Sequence, residues 1–146
     1  ITDDTATTTA STTFEVNSLL ALDVTPGSID YGAVPAGNDT GAVNQQTTVV
    51  NTGNVDMDPD LSGTDMFSGG DTIAAAQQQY DPSAFTYGAG TALSSTTPAQ
   101  VNITLPQGTS GTVPVSDTVE WGIGVPGGTA NGTYTGTTTF AAAAGI

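Results

Sequence analysis

Short segments in which apolar and polar residues alternate limit the fold of this chain more than any other feature of its sequence. Clear examples are residues 43–51, 119–125 and 134–146, and turn-forming clusters follow the first two at 51–54 and 126–128. An alternation with a period of two places successive side chains on opposite faces of an extended strand. Asn, Gly and Pro between such segments favour turns. The pattern predicts an all-β fold, an immunoglobulin-like or jelly-roll antiparallel β-sandwich of about seven to eight strands.

The length and composition agree with one such domain. The chain has 146 residues, with 19 Gly, 8 Pro and a large share of Thr, and this composition favours strands and turns over helices. We expect a single β-sandwich domain over residues 14–146, preceded by an N-terminal extension at 1–13. Residues 73–80 fit either a helical turn or a strand. Residues 81–100 are expected to form a long loop, with a short strand around Phe85 and Tyr87.

The charge balance excludes several functions. The chain carries 14 Asp and Glu but no Lys, Arg or His, which gives a net charge of −14, and it has no Cys. Without cations, binding to nucleic acids or to anionic membrane surfaces loses its main driving force. Without Cys or His there is no thiol nucleophile and no imidazole base. Glu15 and Glu120 fit solvated strand faces better than a catalytic pair, so we expect no enzyme activity. No apolar run is long enough to predict a membrane span.

Residues 1–13 allow two interpretations. They consist mainly of Thr, Ala, Ser and Asp, which is typical of a solvated tail. However, small, β-branched and apolar residues alternate without a break from residue 6 onward, which fits a strand that pairs with the sheet edge of another molecule. The face of this candidate donor strand comprises Ala6, Thr8, Ala10, Thr12, Phe14 and Val16.

Four carboxylates in a short segment suggest one candidate metal site. Asp56, Asp58, Asp60 and Asp65 supply hard oxygen ligands at spacings that resemble a calcium loop. Pro59 and the absence of Glu at the twelfth position depart from the EF-hand pattern. On a strand, the first three carboxylates would instead line the solvent face opposite Val55 and Met57. Calcium is therefore a possible ligand, and no other cofactor is expected.

Two further groups of residues have alternative interpretations. Asn38, Asn102 and Asn131 each begin an Asn-X-Thr sequon, so they are candidate glycosylation sites in an exported protein. Trp121, Tyr134 and Phe140 could form a carbohydrate-binding platform. They fall on the apolar faces of predicted strands, which favours packing in the core.

Several phrases together resemble a known group of proteins. They are residues 22–37, residues 50–54 and the stretch from Trp121 to Phe140. These resemble prokaryotic secreted immunoglobulin-like β-sandwich domains, as in archaeal surface proteins, TasA-like and camelysin-like matrix fibre proteins and archaeal bundling pilins. The resemblance implies an extracellular or cell-surface location. In the fibre-forming members, an N-terminal strand inserts into the next subunit, and residues 1–16 lie where that donor would be.

These observations lead to two expectations for function. The first is a structural subunit of an extracellular filament, pilus or fimbria, as in a biofilm, in which copies of the chain join head to tail by donor-strand complementation. The alternative is a non-polymerising cell-surface module, such as an S-layer, adhesin or glycan-binding domain. The sequence leaves open whether the N-terminal or the C-terminal strand is donated.

Overall fold

A computed structural model describes residues 11–108 and 114–145. The donor-face residues Ala6, Thr8 and Ala10 lie outside these ranges. In chain order the strands are β1 (Leu22–Thr25), β2 (Gln45–Asn51), β3 (Asp60–Gly63), β4 (Met66–Ser68), β5 (Asp71–Ile73), β6 (Gln78–Asp81), β7 (Thr91–Ala92), β8 (Ala99–Gln100), β9 (Val115–Ile123) and β10 (Thr138–Ala141). A 3₁₀ turn at Ala75–Gln77 lies between β5 and β6.

The strands form two main sheets with antiparallel pairing. The first sheet has the order β1-β2-β9-β6-β7 and the second the order β10-β3-β8, while β4 and β5 form a separate hairpin. The apolar faces of the two main sheets pack against each other, as in a β-sandwich. This confirms the all-β fold that the alternating pattern predicts.

The pair β2 and β9 shows how the alternation produces the core. Along β2, Thr47 and Val49 are buried, while Gln46, on the opposite face of the strand, is exposed to solvent. On the paired strand β9, Val119, opposite Thr47, and Trp121, opposite Gln45, are fully buried. The alternation also predicts that Val43 lies on the same face as Thr47 and Val49, and this is wrong: Val43 is 70% exposed, because β2 begins only at Gln45.

Trp121 lies in the middle of the core. Its side chain is 0% exposed, and its indole Nε1 donates a hydrogen bond to Thr47 Oγ1 at 2.9 Å. Its ring centroid lies 5.7 Å from that of Tyr80 and 5.9 Å from that of Phe140, which belongs to the second sheet. Trp121 therefore joins the two layers and belongs to the core, as the alternation predicts.

The second sheet continues beyond its regular strands. Met57 and Leu105, both fully buried, exchange two backbone hydrogen bonds of 3.0 Å. Val101 and Ile103 are also buried, but they lie outside a regular strand. Asn102 between them has a φ of +64°, a left-handed conformation that interrupts an extended chain. The alternation of Val101, Ile103 and Leu105 with polar residues predicts one strand with these three side chains on the same face. The three side chains are buried, but the strand is broken at Asn102.

Other segments differ from the expectations. Residues 11–20 are exposed and lie outside the strands, so the extension continues past residue 13. Residues 73–80 combine both alternatives, because β5 ends at Ile73 and β6 begins at Gln78 on either side of the 3₁₀ turn. The strand predicted around Phe85 and Tyr87 is wrong. Their backbone N–H groups donate to Asn44 Oδ1 and to Gly41 O, which ties this loop to residues 41–44 without a strand.

Candidate functional site

The two sheets are joined along one side of the sandwich. Leu93 N–H donates to Gln78 O of the first sheet at 2.9 Å, and Ser94 O accepts from Gly63 N–H of the second sheet at 3.0 Å. These neighbouring residues therefore bridge the layers. On the opposite side, the outermost strands are β1 in the first sheet and β10 in the second. In the described part of the chain, no strand lies between these two edges, so this side of the sandwich is open.

A groove runs along this open side. Its cavity has a volume of about 680 Å³, and its walls are β1, residues 26–31 and residues 134–140. We call it the lateral groove. A second cavity of about 650 Å³ shares Ile29, Tyr31, Met66 and Tyr134 with it. Together the two cavities form a continuous lining from Leu22 of β1 to residues 33–36 and 129–134, which combines aliphatic and aromatic side chains with Thr and Gly.

The outer edge of β10 has backbone groups that face the lateral groove. Thr64 N–H donates to Thr137 O at 2.8 Å, and Asp58 N–H donates to Ala143 O at 3.1 Å, so the odd-numbered residues of this segment face β3. In an antiparallel pair the backbone groups of alternate residues point in opposite directions. The N–H and C=O groups of Thr138 and Phe140 therefore point away from β3. This edge can accept a further strand.

The outer edge of β1 is less accessible to a new strand. Ala21 O accepts hydrogen bonds from Thr52 N–H and Gly53 N–H, so the backbone groups of the odd-numbered residues face β2. The N–H of Val24, an even-numbered residue, therefore points away from β2. That N–H donates to Asp23 Oδ1 at 2.9 Å. A carboxylate that occupies an edge N–H and adds a charge is a common protection against strand addition. Of the two edges beside the lateral groove, β10 is therefore the better acceptor.

Tyr31 and Tyr134 contribute rings to the groove, and their hydroxyls are used within the subunit. Tyr31 OH donates to Gln78 Oε1 at 3.1 Å, and Tyr134 OH donates to Ala130 O at 2.9 Å. Burial raises the pKa of Tyr31 above its ordinary value. Tyr134 is half-buried at the groove, so it differs from Trp121 and does not belong to the core. The three aromatic residues considered as a sugar platform are thus separated between core and groove.

The N-terminal arm, which we define as residues 11–16, exposes its apolar side chains. Phe14 is 87% exposed and Val16 is 70% exposed. Thr12, the other described member of the candidate donor face, is also exposed. The next residues, 17–21, are bonded to the turn at 51–54. Two large apolar side chains exposed on the same short segment form a candidate contact surface for a partner.

The four predicted calcium ligands are used separately. Asp56 Oδ1 accepts from Gln107 N–H at 2.8 Å, and Asp65 Oδ1 accepts from Ala75 N–H at 2.8 Å. Asp58 is 5% exposed and its Oδ1 accepts from Ile103 N–H at 3.2 Å, so its predicted place on the solvent face is wrong. Asp60 lies on β3. Within 11–108 and 114–145, no group of three or more acidic side chains is placed to hold a metal ion.

The burial of Asp58 has an electrostatic consequence. Loss of hydration raises its pKa, and the negative charge of Asp60 acts in the same direction. Hydrogen bonds from the backbone of Ile103 and Asn102 lower the pKa and oppose this effect. The carboxylate therefore fixes the chain around Asn102 at an electrostatic cost.

The three sequons lie in different surroundings. Asn38 is exposed, but the hydroxyl of its sequon residue Thr40 accepts a hydrogen bond from Ile123 N–H at 3.1 Å. Asn102 is exposed in its left-handed conformation, outside a regular strand. Asn131 is exposed in the loop beside the second cavity. All three side chains are accessible in the folded chain, and glycosylation at these positions remains a prediction.

The sequence predictions missed the residues that build the acceptor side of the groove. Thr138 and Phe140 are recognisable in sequence only as members of an alternating strand. Their position at the edge of a sheet depends on the order of the strands, which the local sequence does not reveal. The turn at 51–54 was recognised, but its contact with residues 17–21 was not.

Comparison with known proteins does not assign a family. No protein-family model matches the sequence, and a search of curated proteins gives no match. Among the residues for which the structure gives a placement, no helix has the length and apolar character needed to cross a bilayer. A function for this chain must therefore be argued from the groove, the arm and the charge.

Proposed function

We propose that this protein is a structural subunit of an extracellular filament or pilus. Copies of the chain join head to tail, and the N-terminal arm of one copy adds a strand beside β10 of the next. The observation that carries this proposal is the combination of an exposed apolar arm with an open groove in the same subunit. The extracellular location is supported by the resemblance of residues 22–37, 50–54 and 121–140 to secreted β-sandwich domains.

The dimensions of the arm and the groove are compatible. The wall of the groove and its continuation run from Thr135 to Ala144, and ten extended residues span about 33 Å. The alternating segment from Ala6 to Val16 is of similar extended length, about 36 Å. One face of this segment consists of small and apolar residues along its whole length, which suits a groove lined by apolar residues together with Thr and Gly. The N-terminal arm is the preferred donor because the C-terminal strand β10 is already paired with β3 in its own subunit.

The positions of the arm and the groove favour an open polymer. The arm joins the body beside Leu22, which pairs with Asn51 at one end of the first sheet. The acceptor is the outer edge of β10, which belongs to the second sheet. The two contacting surfaces are therefore different parts of the molecule. Such heterologous contacts produce filaments unless the rotation closes a ring.

Charge opposes assembly but does not prevent it. Subunits with a net charge of −14 repel one another. At physiological ionic strength the Debye length is about 8 Å, so charges on the distant parts of neighbouring subunits are largely screened. A complete inserted strand adds backbone hydrogen bonds and buries apolar side chains, which is the usual source of affinity in strand addition. We therefore expect assembly to become stronger as the salt concentration rises.

The donor role is tested by a pair of variants with equal charge. Phe14→Asp with Val16→Asp places two carboxylates on the apolar face of the arm and should prevent filament formation. Ser11→Asp with Thr13→Asp adds the same charge to the opposite face and should leave filaments intact. Size-exclusion chromatography and negative-stain microscopy measure the outcome. Equal effects of the two double variants would refute the donor role of this face.

The acceptor role is tested at the β10 edge. Thr138→Pro removes an N–H that points away from β3, so the subunit should fold but should accept an arm poorly. Mixed with the Phe14→Asp, Val16→Asp variant, it should form one-to-one dimers, because one partner only donates and the other only accepts. If the mixture remains monomeric while the unmodified protein forms filaments, the assignment of the groove is wrong. If the unmodified protein is always monomeric, the cell-surface module is the better explanation.

A further inference from the structure

The segment that joins the arm to the body is held by the turn that follows β2. Asn54 makes three hydrogen bonds to this segment: Oδ1 accepts from Leu19 N–H at 2.6 Å, Nδ2 donates to Asn17 O at 2.9 Å, and its backbone N–H donates to Leu19 O at 3.0 Å. Ala21 O accepts from Thr52 N–H and Gly53 N–H at 3.0 and 3.1 Å. We call residues 51–54 the arm clamp.

Gly53 allows the two chains of the clamp to lie in direct contact. A Cβ at this position would overlap Leu19 O and would lie 2.9 Å from Ala21 N. These are backbone atoms, which cannot move aside as the end of a flexible side chain can. A side chain at position 53 would therefore separate the arm from the turn.

The clamp also sets the direction in which the arm leaves. Leu22 of β1 pairs with Asn51, the last residue of β2, and the bonds of Ala21 and Leu19 continue this antiparallel contact past the end of the strand. From Leu22 back to Asn17 the chain therefore continues along the axis of β1, past its pairing with Asn51. The lateral groove lies beside Leu22 and Val24 of the same subunit. Because the clamp holds residues 17–21 along this axis, the arm would have to reverse its direction before residue 17 to enter its own groove.

We infer that the arm clamp, with Asn54 as its positioning residue, directs the arm to a second copy of the chain and prevents it from filling the groove of its own subunit. This inference rests on the proposed function. An arm in the same chain has a high effective concentration for its own groove, so an unrestrained arm would compete with assembly. The clamp removes this competition by geometry, without any residue that contacts the groove.

The test compares Asn54→Ala with Asn38→Ala in protein made in a host that does not glycosylate. Asn38 is also an exposed turn residue, and its backbone N–H and C=O make hydrogen bonds to Pro35 and Val125 that alanine would retain. In the monomer at low concentration, Asn54→Ala should accelerate hydrogen exchange at the Leu19 amide by roughly fivefold or more, because the loss of one hydrogen bond changes an opening equilibrium by about that factor. The critical concentration for filaments should rise by a similar factor. Asn38→Ala should change neither quantity.

A distance measurement reads the direction of the arm without assembly. The chain has no Cys, so Thr12→Cys with Thr139→Cys places spin labels only on the arm and on β10. Adding Asn54→Ala should shift the distance distribution of the monomer to shorter values. Unchanged exchange at Leu19, or faster exchange with an unchanged critical concentration, would overturn the inference.

The spin-label distances also separate the two proposals. If neither the unmodified protein nor Asn38→Ala assembles, the proposed function fails and these distances alone decide the role of the clamp. A shorter distance on adding Asn54→Ala would then support the positioning of the arm by the clamp. An unchanged distance would refute it.

Discussion

Phe14→Ala should weaken filament assembly without affecting the free subunit. Phe14 is 87% exposed, so its removal leaves no cavity and the melting temperature of the monomer should not change. Burial of a Phe side chain contributes about 1.5–3 kcal/mol, and nearly all of it becomes available when the arm enters a groove. Because each 1.4 kcal/mol is a factor of ten in an equilibrium constant, the critical concentration should rise roughly 10- to 150-fold.

Sedimentation of assembled protein over a concentration series measures this critical concentration. Thr13→Ala is the control, because residue 13 is exposed and lies on the opposite face of the arm. It should leave the critical concentration within the error of the unmodified protein. A critical concentration for Phe14→Ala equal to that of the control would mean that Phe14 is not buried on assembly, and the placement of the arm's apolar face in the groove would be incorrect.

Three predictions concern the stability of the subunit. Thr47→Val leaves the buried indole N–H of Trp121 without its acceptor and should lower the unfolding free energy by about 1–3 kcal/mol, measured by urea unfolding followed by tryptophan fluorescence. Thr47→Ser keeps the hydroxyl and should lower it by about 1 kcal/mol. Equal losses in the two variants would contradict the importance of this hydrogen bond. Burial raises the pKa of Asp58, so its ionisation opposes folding at neutral pH, and Asp58→Asn should raise the unfolding free energy at pH 7 by more than Asp60→Asn does. This gain should shrink as the pH falls through the raised pKa of Asp58 and should vanish below about pH 3.8, the ordinary pKa of Asp, where the carboxyl is protonated in both the folded and the unfolded chain. A gain that does not change with pH would exclude this cause. Three of the four predicted calcium ligands already accept backbone hydrogen bonds, so the melting temperature should be the same with calcium and with a chelator. A higher melting temperature with calcium would support the predicted site.

The sequence predicts the fold well where one face of a strand is buried throughout. Thr47 and Val49 on β2, and Val119 and Trp121 on β9, are buried as their alternation requires. Local pattern is sufficient there because each strand has one face toward the core and one toward the solvent. The same reasoning fails where the backbone departs from extended geometry. The left-handed Asn102 breaks the strand between buried Val101 and Ile103, and a period of two cannot reveal such a break.

The candidate site was predicted only in part. The apolar face of the arm is visible in the sequence, because the alternation that includes Phe14 and Val16 is a property of one short segment. The acceptor is not visible, since the chain does not show that β10 is an edge strand or that Asp23 covers the edge of β1. The burial of Asp58 was also missed, because its hydrogen-bond donor, Ile103, is distant in sequence.

The sequence alone therefore determined the strand-forming segments, the high negative charge and the apolar face of the arm. These follow from residue type and spacing, which act over a few neighbouring positions. The tertiary structure decided which strands lie at the edges, which side of the sandwich is open, and where the turn at 51–54 holds the arm. Those features arise from contacts between segments far apart in the chain, and their geometry is fixed only when the two sheets pack together.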